Sequence, residues 1–435
     1  MFVDCVSYCG HFNLITSTPR GRAGFLHMLA RVKILHYLKW MRKRDGGVVN
    51  CVMQLGPLQA QHGHEVVLLT ADASDVPRES WRHGGGFAAG LPACVEVELR
   101  DRVAELRGSS ARRAEGDTPL QLLTPSAMRE ARKLIDACDV VHVHGPWSSS
   151  NLQIAALARR CGKPYVVSAH GMLDDWSMAQ SARKKRLFLG LFGRRMLDGA
   201  RAIHCTARGE AEQVSKHTSA PTRVVALPME LGPFLRLPGP EMARERFSLR
   251  RGVANLLFLS RLHPKKGAEH AIDALIALRG RGVDCDLVLA GPAQDAAYAQ
   301  MLEARIAAAD VGEHARFVGM VDGQLKLSLY QACDVLVLPT SQENFGFVLV
   351  ESLACGTPVV TTKGVDLWAE LEASGGGVIA NAEGNAVAKA VVRVLHTDQG
   401  TNMREAMGAK GRAWALAMME PAGLIGAYES MYRGT

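Results

Sequence analysis

The sequence predicts an α/β protein with two doubly wound domains that face each other across a cleft. The 435-residue chain is long enough for two domains of ordinary size. From about residue 31, short β-branched runs alternate with helix-length segments, which indicates parallel βαβ units. A polar, proline-rich connection over 228–247 interrupts this alternation, and the same pattern restarts after it.

The first domain is predicted over residues 28–235. Its strand-like runs are KILHYL, HEVVLLTAD, DVVHVHG, KPYVVSAHG, ARAIHCTA and TRVVALP. A basic helix is expected near 179–198. Residues 1–27 lack a basic start followed by a clean apolar core, so they make a poor signal peptide. We expect these residues either to form a disordered arm or to be an extension ahead of the protein's true start.

The second domain is predicted over 236–412, and its strand-like runs are ANLLFLS, CDLVLAG, ARFVG, DVLVLPT, TPVVTT and GGGVIA. Doubly wound parallel sheets bind ligands beyond the carboxyl ends of their strands. Two such domains also offer a cleft between them. The loops that follow the strands are therefore where site residues are expected.

Composition narrows the function only in part. A formal charge of +8 suits an anionic small molecule, an anionic membrane surface or nucleic acid. The ten cysteines are scattered without a CxxC pair, which argues against structural zinc and is typical of reduced thiols in a cytosolic protein. No GxGxxG, GxxxxGK[ST], GxSxG, HExxH or nucleic-acid module occurs, and no apolar run could span a bilayer.

The loop SQENFG follows the strand-like run DVLVLPT and places Glu343 and Glu351 on either side of a predicted helix start near Gly346. The free N–H groups of a helix start, with the helix dipole, form an anion site. Two carboxylates beside an anion need hydroxyl partners, and a ribose on one side and a hexose on the other would supply them. A capping loop with one exposed glutamate fits the spacing equally well.

A second loop, SRLHPKKG, places Arg261 at a strand end and Lys266 just before Gly267. Two cations across a tight loop can converge on one diphosphate, since arginine offers a fork and lysine a mobile point charge. A solvated basic loop is the alternative, and Lys265 is expected to point outward into solvent.

Three features of the first domain are weaker signals. Gly46 and Gly47 precede a helix and could turn backbone amides toward the cleft. His170 lies at a strand end, where its side chain would reach the cleft. His142 and His144 share one strand face, but no third ligand has convincing spacing, so no metal site is predicted.

The basic segment SARKKRLFLGLFGRR mixes cationic and large apolar residues over 181–195. It could lie on an anionic membrane surface. It could equally be a core-packed helix with a solvated basic end.

The runs SRLHPKKG, LVLAGP and PTSQENFGFVLVESLACGTPVVTT resemble the donor-binding half of the retaining glycosyltransferases of family four, the group 1 glycosyltransferases with the GT-B fold. In the first half, DGGVV, HGHEVVLLT, VHVHGPW, VVSAHGML and CTARGEAE agree with the same family. The resemblance covers about residues 30–430. It implies two Rossmann-like domains, with a C-terminal helix over 413–435 that crosses back to the first.

The resemblance also implies residue roles. Arg261 and Lys266 would neutralise the donor diphosphate, Glu351 would hold the ribose and Glu343 the transferred sugar. The implied catalytic residues are His170, Glu343, Arg261 and Lys266. The implied donor-binding residues are Gly46, Gly47, Arg261, Lys266, Asn344, Phe345, Gly346, Phe347 and Glu351.

The activity implied is retaining transfer of a hexosyl-type sugar from a UDP- or GDP-linked donor to a hydroxyl of a glycan or lipid-linked acceptor, in cell-surface polysaccharide or glycolipid biosynthesis. No metal and no nucleic acid are expected. A cytoplasmic location is expected, with the inner face of the membrane as a further partner. The alternatives are a sugar-nucleotide epimerase of related fold and a non-catalytic polysaccharide-assembly protein. The intact set of Arg261, Lys266, Glu343 and Glu351 argues against the second.

Overall fold

Two parallel β-sheets, one in each half of the chain, form the centre of the fold. The computed structural model describes residues 31–42, 46–101, 120–398 and 401–435. The predicted arm over 1–27 lies outside the described residues. None of the described helices is long and apolar enough to cross a bilayer.

The first sheet has eight parallel strands in the order β10-β9-β8-β7-β1-β2-β4-β3. These strands are β1 Lys33–Tyr37, β2 Glu65–Thr70, β3 Arg82–His83, β4 Ala93–Glu96, β7 Val140–His144, β8 Tyr165–Ser168, β9 Ala202–Cys205 and β10 Thr222–Val224. An antiparallel pair, β5 Leu99–Asp101 and β6 Gln121–Leu123, lies outside this sheet. Strands β2, β7 and β8 are buried along their whole length, as expected for a parallel sheet covered on both faces.

The helices of this half are α1 Gly47–Gln61, α2 Pro125–Ala137, α3 Ser149–Arg160, α4 Asp175–Ala179, α5 Ala182–Phe188, α6 Arg194–Asp198 and α7 Arg208–Val214. A π-helical turn, Leu189–Gly193, joins α5 to α6. The basic helix predicted near 179–198 is therefore a continuous helical run over 182–198 that contains this π-helical turn, and the short helix α4 before it is separate. The connection predicted over 228–247 carries two short helices, α8 Gly232–Leu235 and α9 Glu241–Phe247.

The second sheet has six parallel strands in the order β13-β12-β11-β14-β15-β16. They are β11 Ala254–Leu259, β12 Cys285–Ala290, β13 Ala315–Gly319, β14 Val335–Leu338, β15 Val359–Thr362 and β16 Gly377–Ala380. The helices are α10 Ala268–Arg279, α11 Ala296–Ala308, α12 Gly323–Ala332, α13 Phe347–Ala354, α14 Trp368–Ala373 and α15 Gly384–Leu395. Two short antiparallel strands follow, β17 Thr397–Asp398 and β18 Thr401–Asn402. The predicted α/β class with two doubly wound halves is confirmed.

The C-terminal segment predicted as one helix consists of two, α16 Met403–Met418 and α17 Pro421–Arg433. Helix α16 packs against α13 of the second half. Helix α17 buries Ile425, Tyr428 and Met431 in one cluster with Ile34 and Val140 of the first sheet. The chain therefore returns to the first half between the two helices, where Pro421 starts the last one.

Candidate active site

The two loops predicted to carry cations and carboxylates are joined by hydrogen bonds to one backbone carbonyl. Ser341 N and the Thr340 hydroxyl donate to the Lys265 carbonyl at 2.9 and 2.8 Å. Gly267 ends this basic loop at φ +73°, and a Cβ there would lie 2.3 Å from the Pro339 carbonyl oxygen. Only glycine permits so close an approach, so the loop after β11 is held directly against the end of β14.

Lys266 and Glu343 form an ion pair between Nζ and Oε2 at the centre of these loops. Lys266 is only 6% exposed, whereas the Glu343 side chain keeps a quarter of its surface open. A buried ammonium group requires a close carboxylate to offset its lost hydration. The pair therefore offers a donor ligand one cation and one carboxylate in adjacent positions.

Two hydrogen-bond donors on one face of α12 hold the Glu351 carboxylate. Lys326 Nζ lies 3.0 Å from Oε1, and the Tyr330 hydroxyl donates to Oε2 at 2.8 Å. Burial, with the Glu351 charge beside it, raises the pKa of Tyr330 well above its ordinary value, so the phenol remains a donor. A cavity of about 350 Å³ lined by Gln54, Leu327 and Phe347 adjoins this carboxylate.

Helix α13 begins directly after Gly346, whose φ is +71°. Phe345 is 2% exposed, and its ring packs edge-on against Phe347 at 5.1 Å between centroids. The Phe345 side chain therefore serves packing, whereas that of Phe347 also lines the cavity beside Glu351. What this helix start offers an anion is its backbone N–H groups, as the sequence suggests.

Asn344 lies in this loop, but its side chain contacts the first half of the chain. Its Oδ1 accepts from the Thr206 hydroxyl at 3.1 Å, and its Nδ2 donates to Asp366 at 3.2 Å. Gln213 of the first half donates to the other oxygen of Asp366 at 2.7 Å. The Asn344 side chain thus joins the two halves rather than extending into open space.

The prediction that Lys265 points outward into solvent is wrong. Its Nζ lies 4.0 Å from the centroid of the Trp176 ring, which belongs to the first half. Burial, with Lys266 beside it, lowers the pKa of Lys265. Lys265 therefore makes a cation–π contact across the two halves. Arg261 is the exposed cation of the loop, and its guanidinium donates to Gln294 at 3.1 Å.

His170 follows β8 with φ +52°, an unusual backbone conformation for a residue other than glycine. Such conformations cost on the order of 1–3 kcal/mol and cluster at functional sites. The next residue, Gly171, donates its N–H to Glu210, and this bond fixes the turn. Gly46 and Gly47 lie at the start of α1, with open space around both.

His36 is a third buried histidine beside His142 and His144, and the sequence reasoning missed it. It lies on β1 opposite His142 of β7, so the pairing of two strands distant in sequence creates the cluster. Ring nitrogens of the three residues lie within 4.8 Å of one another. Each of these nitrogens is also within hydrogen-bonding distance of another side chain. Lys326 and Tyr330 were missed too, because only the tertiary fold brings these α12 side chains to Glu351.

Two family models match the chain in tandem. The glycosyl transferase 4-like domain matches residues 46–230, and the glycosyl transferases group 1 model matches residues 242–414. Among curated relatives, a GDP-mannose-dependent alpha-(1-6)-phosphatidylinositol dimannoside mannosyltransferase of Mycobacterium tuberculosis is 25% identical over 379 residues, 84% of this chain and 88% of the relative. A D-inositol 3-phosphate glycosyltransferase of Geodermatophilus obscurus is 30% identical over 289 residues, 62% of this chain and 63% of the relative.

Solved structures show the same fold. Anabaena HepE in complex with UDP superposes with a TM-score of 0.68 at 16% identity, covering 93% of this chain and all of that one. WaaG, a glycosyltransferase involved in lipopolysaccharide biosynthesis, superposes with a TM-score of 0.58 at 16% identity, over 93% of this chain and 100% of that one. The chain belongs to the group 1 glycosyltransferases, the family-four enzymes with the GT-B fold.

Proposed function

We propose that this glycosyltransferase binds a nucleotide-diphosphate sugar between Lys266, Glu343 and Glu351 and transfers its hexosyl group, with retention, to a hydroxyl of a glycan or lipid-linked acceptor. The observation that carries the proposal is the buried Lys266–Glu343 pair. A diphosphate would draw Lys266 toward its oxygens, and Glu343 would then accept hydrogen bonds from hydroxyls of the sugar. Each partner exchanges one charge-assisted contact for another, so binding leaves neither group unpaired.

The remaining parts of the donor have matching chemistry nearby. Glu351, oriented by Lys326 and Tyr330, is suited to accept from both ribose hydroxyls, and the adjoining cavity is suited to the base. Gly46 and Gly47 would line the phosphate side from the first half. The mycobacterial relative is GDP-mannose-dependent, and HepE was solved with UDP and with UDP-glucose. GDP-mannose and UDP-glucose are therefore the first donors to test.

Negative charge builds on the diphosphate as its bond to the sugar breaks. Lys266, the exposed guanidinium of Arg261 and the N–H groups at the start of α13 would stabilise that charge. The leaving phosphate oxygen would take the proton of the acceptor hydroxyl. The oxygen of that hydroxyl would then bond to the sugar on the face from which the diphosphate departs. His170 would contact the sugar and acceptor region. In this scheme the protein supplies the positive charge, and no metal is required for transfer.

The lipid-linked acceptor is supported by the phosphatidylinositol mannoside named for the relative. The segment over 182–198 supports a membrane surface as a further partner. Leu187, Leu191 and Phe192 are 64, 62 and 56% exposed, and they lie among exposed cationic side chains. These three side chains are therefore not packed into the core, whereas Met196 and Leu197 at the end of the segment are. The cytoplasmic location expected from the cysteines stays a prediction, as does the absence of nucleic-acid binding.

Titration of each variant with GDP-mannose and UDP-glucose tests the donor site. Loss of a charge-assisted hydrogen bond costs about 1.5–3 kcal/mol, so Glu351→Gln should weaken donor affinity about 10- to 100-fold. Lys266→Ala should also weaken affinity, and loss of one such charge-stabilising group typically lowers the rate about 10²- to 10³-fold. The exposed residues Glu303 and Lys389 provide the controls Glu303→Gln and Lys389→Ala.

Equal affinities for the controls and for both site variants would contradict the donor-site assignment. Turnover should require an acceptor and should persist in EDTA. Sugar-nucleotide turnover without acceptor would instead favour an epimerase, and binding without any turnover would favour an assembly protein. Activity that EDTA abolishes and a divalent ion restores would contradict the metal-free scheme.

A further inference from the structure

A continuous chain of hydrogen-bonded side chains runs from the cleft through the interior of the first half. We call it the histidine chain, and it consists of His170, His144, His36, Gln59, Tyr432, His142, Ser168 and His204, ending at the carbonyl of Val225. Every member except His170 is buried. The donor-site proposal uses only His170, so the function of the other members is unassigned.

The direction of the hydrogen bonds is set at the inner end. His204 Nε2 lies 2.8 Å from the Val225 carbonyl oxygen, which can only accept, so Nε2 must carry the proton. In the neutral ring Nδ1 is then an acceptor, and the Ser168 hydroxyl, 2.7 Å away, must donate to it. Tyr428, 3.5 Å from the same Nε2, has the Ala226 carbonyl at 3.3 Å as acceptor for its own proton.

The same rule extends to the middle of the chain. Because Ser168 donates to His204, its oxygen accepts from His142 Nε2 at 2.6 Å. His142 Nδ1 is then an acceptor, and the Tyr432 hydroxyl donates to it at 2.9 Å. The Tyr432 oxygen in turn accepts from Gln59 Nε2 at 2.9 Å. Gln59 is therefore oriented with its carbonyl oxygen toward the cleft end of the chain.

The outer segment follows from the orientation of Gln59. Its Oε1 accepts from His36 Nε2 at 2.7 Å, and His36 Nδ1 accepts from His144 Nε2 at 3.0 Å. His144 Nδ1 accepts from His170 Nε2, also at 3.0 Å. We infer that the histidine chain holds His170 as the tautomer protonated on Nε2, leaving Nδ1 as a bare acceptor, and that Gln59 and Tyr432 are positioning residues for this state.

The rings must be neutral for this direction to hold, and their environment favours the neutral form. Burial lowers the pKa of His36 and of His204 to about 4, and that of His170 to about 3. Burial and the neighbouring rings place the pKa of His142 and of His144 well below the ordinary value. A charge on any of the four inner rings, those of His36, His142, His144 and His204, would make both nitrogens of that ring donors and would leave a donor facing a donor.

The histidine chain defines which partner His170 can bind. In the described part of the chain no group hydrogen-bonds to His170 Nδ1. A lone pair at that atom accepts from a hydroxyl and cannot donate to a phosphate oxygen. This selects a sugar or acceptor hydroxyl as its contact, a consequence that rests on the proposed function. The tautomer of His170 does not rest on the proposed function, because it is measured without any substrate.

The ¹⁵N spectrum of histidine-labelled protein tests the inference, since protonated and bare ring nitrogens have distinct shifts. His170→Gln identifies the His170 signals. In the wild-type protein these should show a protonated Nε2 and a bare Nδ1. Tyr432→Phe removes the acceptor that orients Gln59, so the outer segment can reverse and His170 should become a mixture of two tautomers. Gln59→Leu breaks the same link and should give the same mixture if Tyr432→Phe fails to fold.

Tyr428→Phe is the matched control, because it removes an equally buried hydroxyl one turn earlier on α17. It should leave the His170 signals unchanged. A wild-type His170 protonated on Nδ1 would overturn the inference, as would a Tyr432→Phe variant with an unchanged His170 spectrum. Stoichiometric metal in the isolated protein, held by His36, His142 and His144, would overturn it too, because a metal would replace the ring protons.

Discussion

Removing one partner of the Lys266–Glu343 pair should change the free energy of unfolding more than removing both. Lys266→Met leaves a carboxylate without its buried counter-charge, whereas Lys266→Met with Glu343→Gln leaves two neutral groups of similar shape. Breaking a buried pair typically costs about 3–5 kcal/mol. Because Glu343 is one quarter exposed, we expect the single variant to fall at the low end of that range. The double variant should recover most of the loss in urea unfolding, although neither should bind the donor tightly.

The exposed pair between Lys133 and Glu130 is the matched control for this double-mutant cycle. Exposed ion pairs contribute about 0–1 kcal/mol, so its single and double variants should differ little. Additive losses in the Lys266 and Glu343 cycle would show that the two side chains are not coupled.

Individual site residues could be predicted where a strand end determines their position. The sequence predicts that the loops of Lys266 and Glu343 meet, and the structure brings the two side chains into contact, because carboxyl ends of parallel strands meet at one edge of a sheet. Their role in binding a donor, and that of Arg261, stays a prediction. Lys265 was assigned to solvent because its partner, Trp176, lies in the other half and no local spacing reveals it. His36 was missed for the same reason, since only the pairing of β1 with β7 brings it to His142.

Elements were predicted well in type and less well in continuity. The strand-like runs became two parallel sheets because β-branched residues suit a surface that is buried on both faces. The family resemblance implies one C-terminal helix over 413–435, but the structure has a break at Met419 and Glu420. The break there allows α16 to remain on the second half while α17 packs on the first. Without that return, Tyr432 would not reach Gln59.

The segment over 182–198 should bind anionic vesicles. Its exposed Leu191 and Phe192 would bury apolar surface at about 25 cal/mol per Å², and each nearby Lys or Arg adds about 1 kcal/mol close to an anionic surface. In sedimentation with phosphatidylserine-containing vesicles, Leu191→Ser with Phe192→Ser should reduce binding at least tenfold. Leu235 and Met242 are also exposed apolar residues, and their serine variants serve as controls.

Vesicles of neutral phosphatidylcholine should bind the wild-type protein more weakly, because the basic side chains then contribute little. Binding that is unchanged in the Leu191 and Phe192 variant would contradict this role for the segment. Equal losses in the control variants would show a general effect of surface polarity instead.

Across the whole molecule, the contact between the halves contains three buried carboxylates, those of Asp174, Glu210 and Asp366. Gln342 donates to Asp174, and Asn344 and Gln213 donate to Asp366. Burial, with the charges of Glu210 and Asp174 nearby, raises the pKa of Asp366 to about 7. Burial also raises the pKa of Glu210. This contact adjoins the loop that carries Glu343, so its protonation concerns the site as well as stability.

The raised pKa of Asp366 predicts that stability falls as the pH rises. The folded state holds the proton more tightly than the unfolded state, where aspartate titrates near its ordinary value of 3.8. Stability is therefore greatest at the acid end of this window and is lost as the pH increases from about 4 to about 7. Since one pKa unit corresponds to about 1.36 kcal/mol, the loss is on the order of a few kcal/mol.

Asp366→Asn cannot ionise and should flatten this part of the pH profile in urea unfolding. Asp310→Asn, at an exposed position, should leave the slope unchanged. An Asp366→Asn protein that keeps the wild-type slope would remove Asp366 as its source.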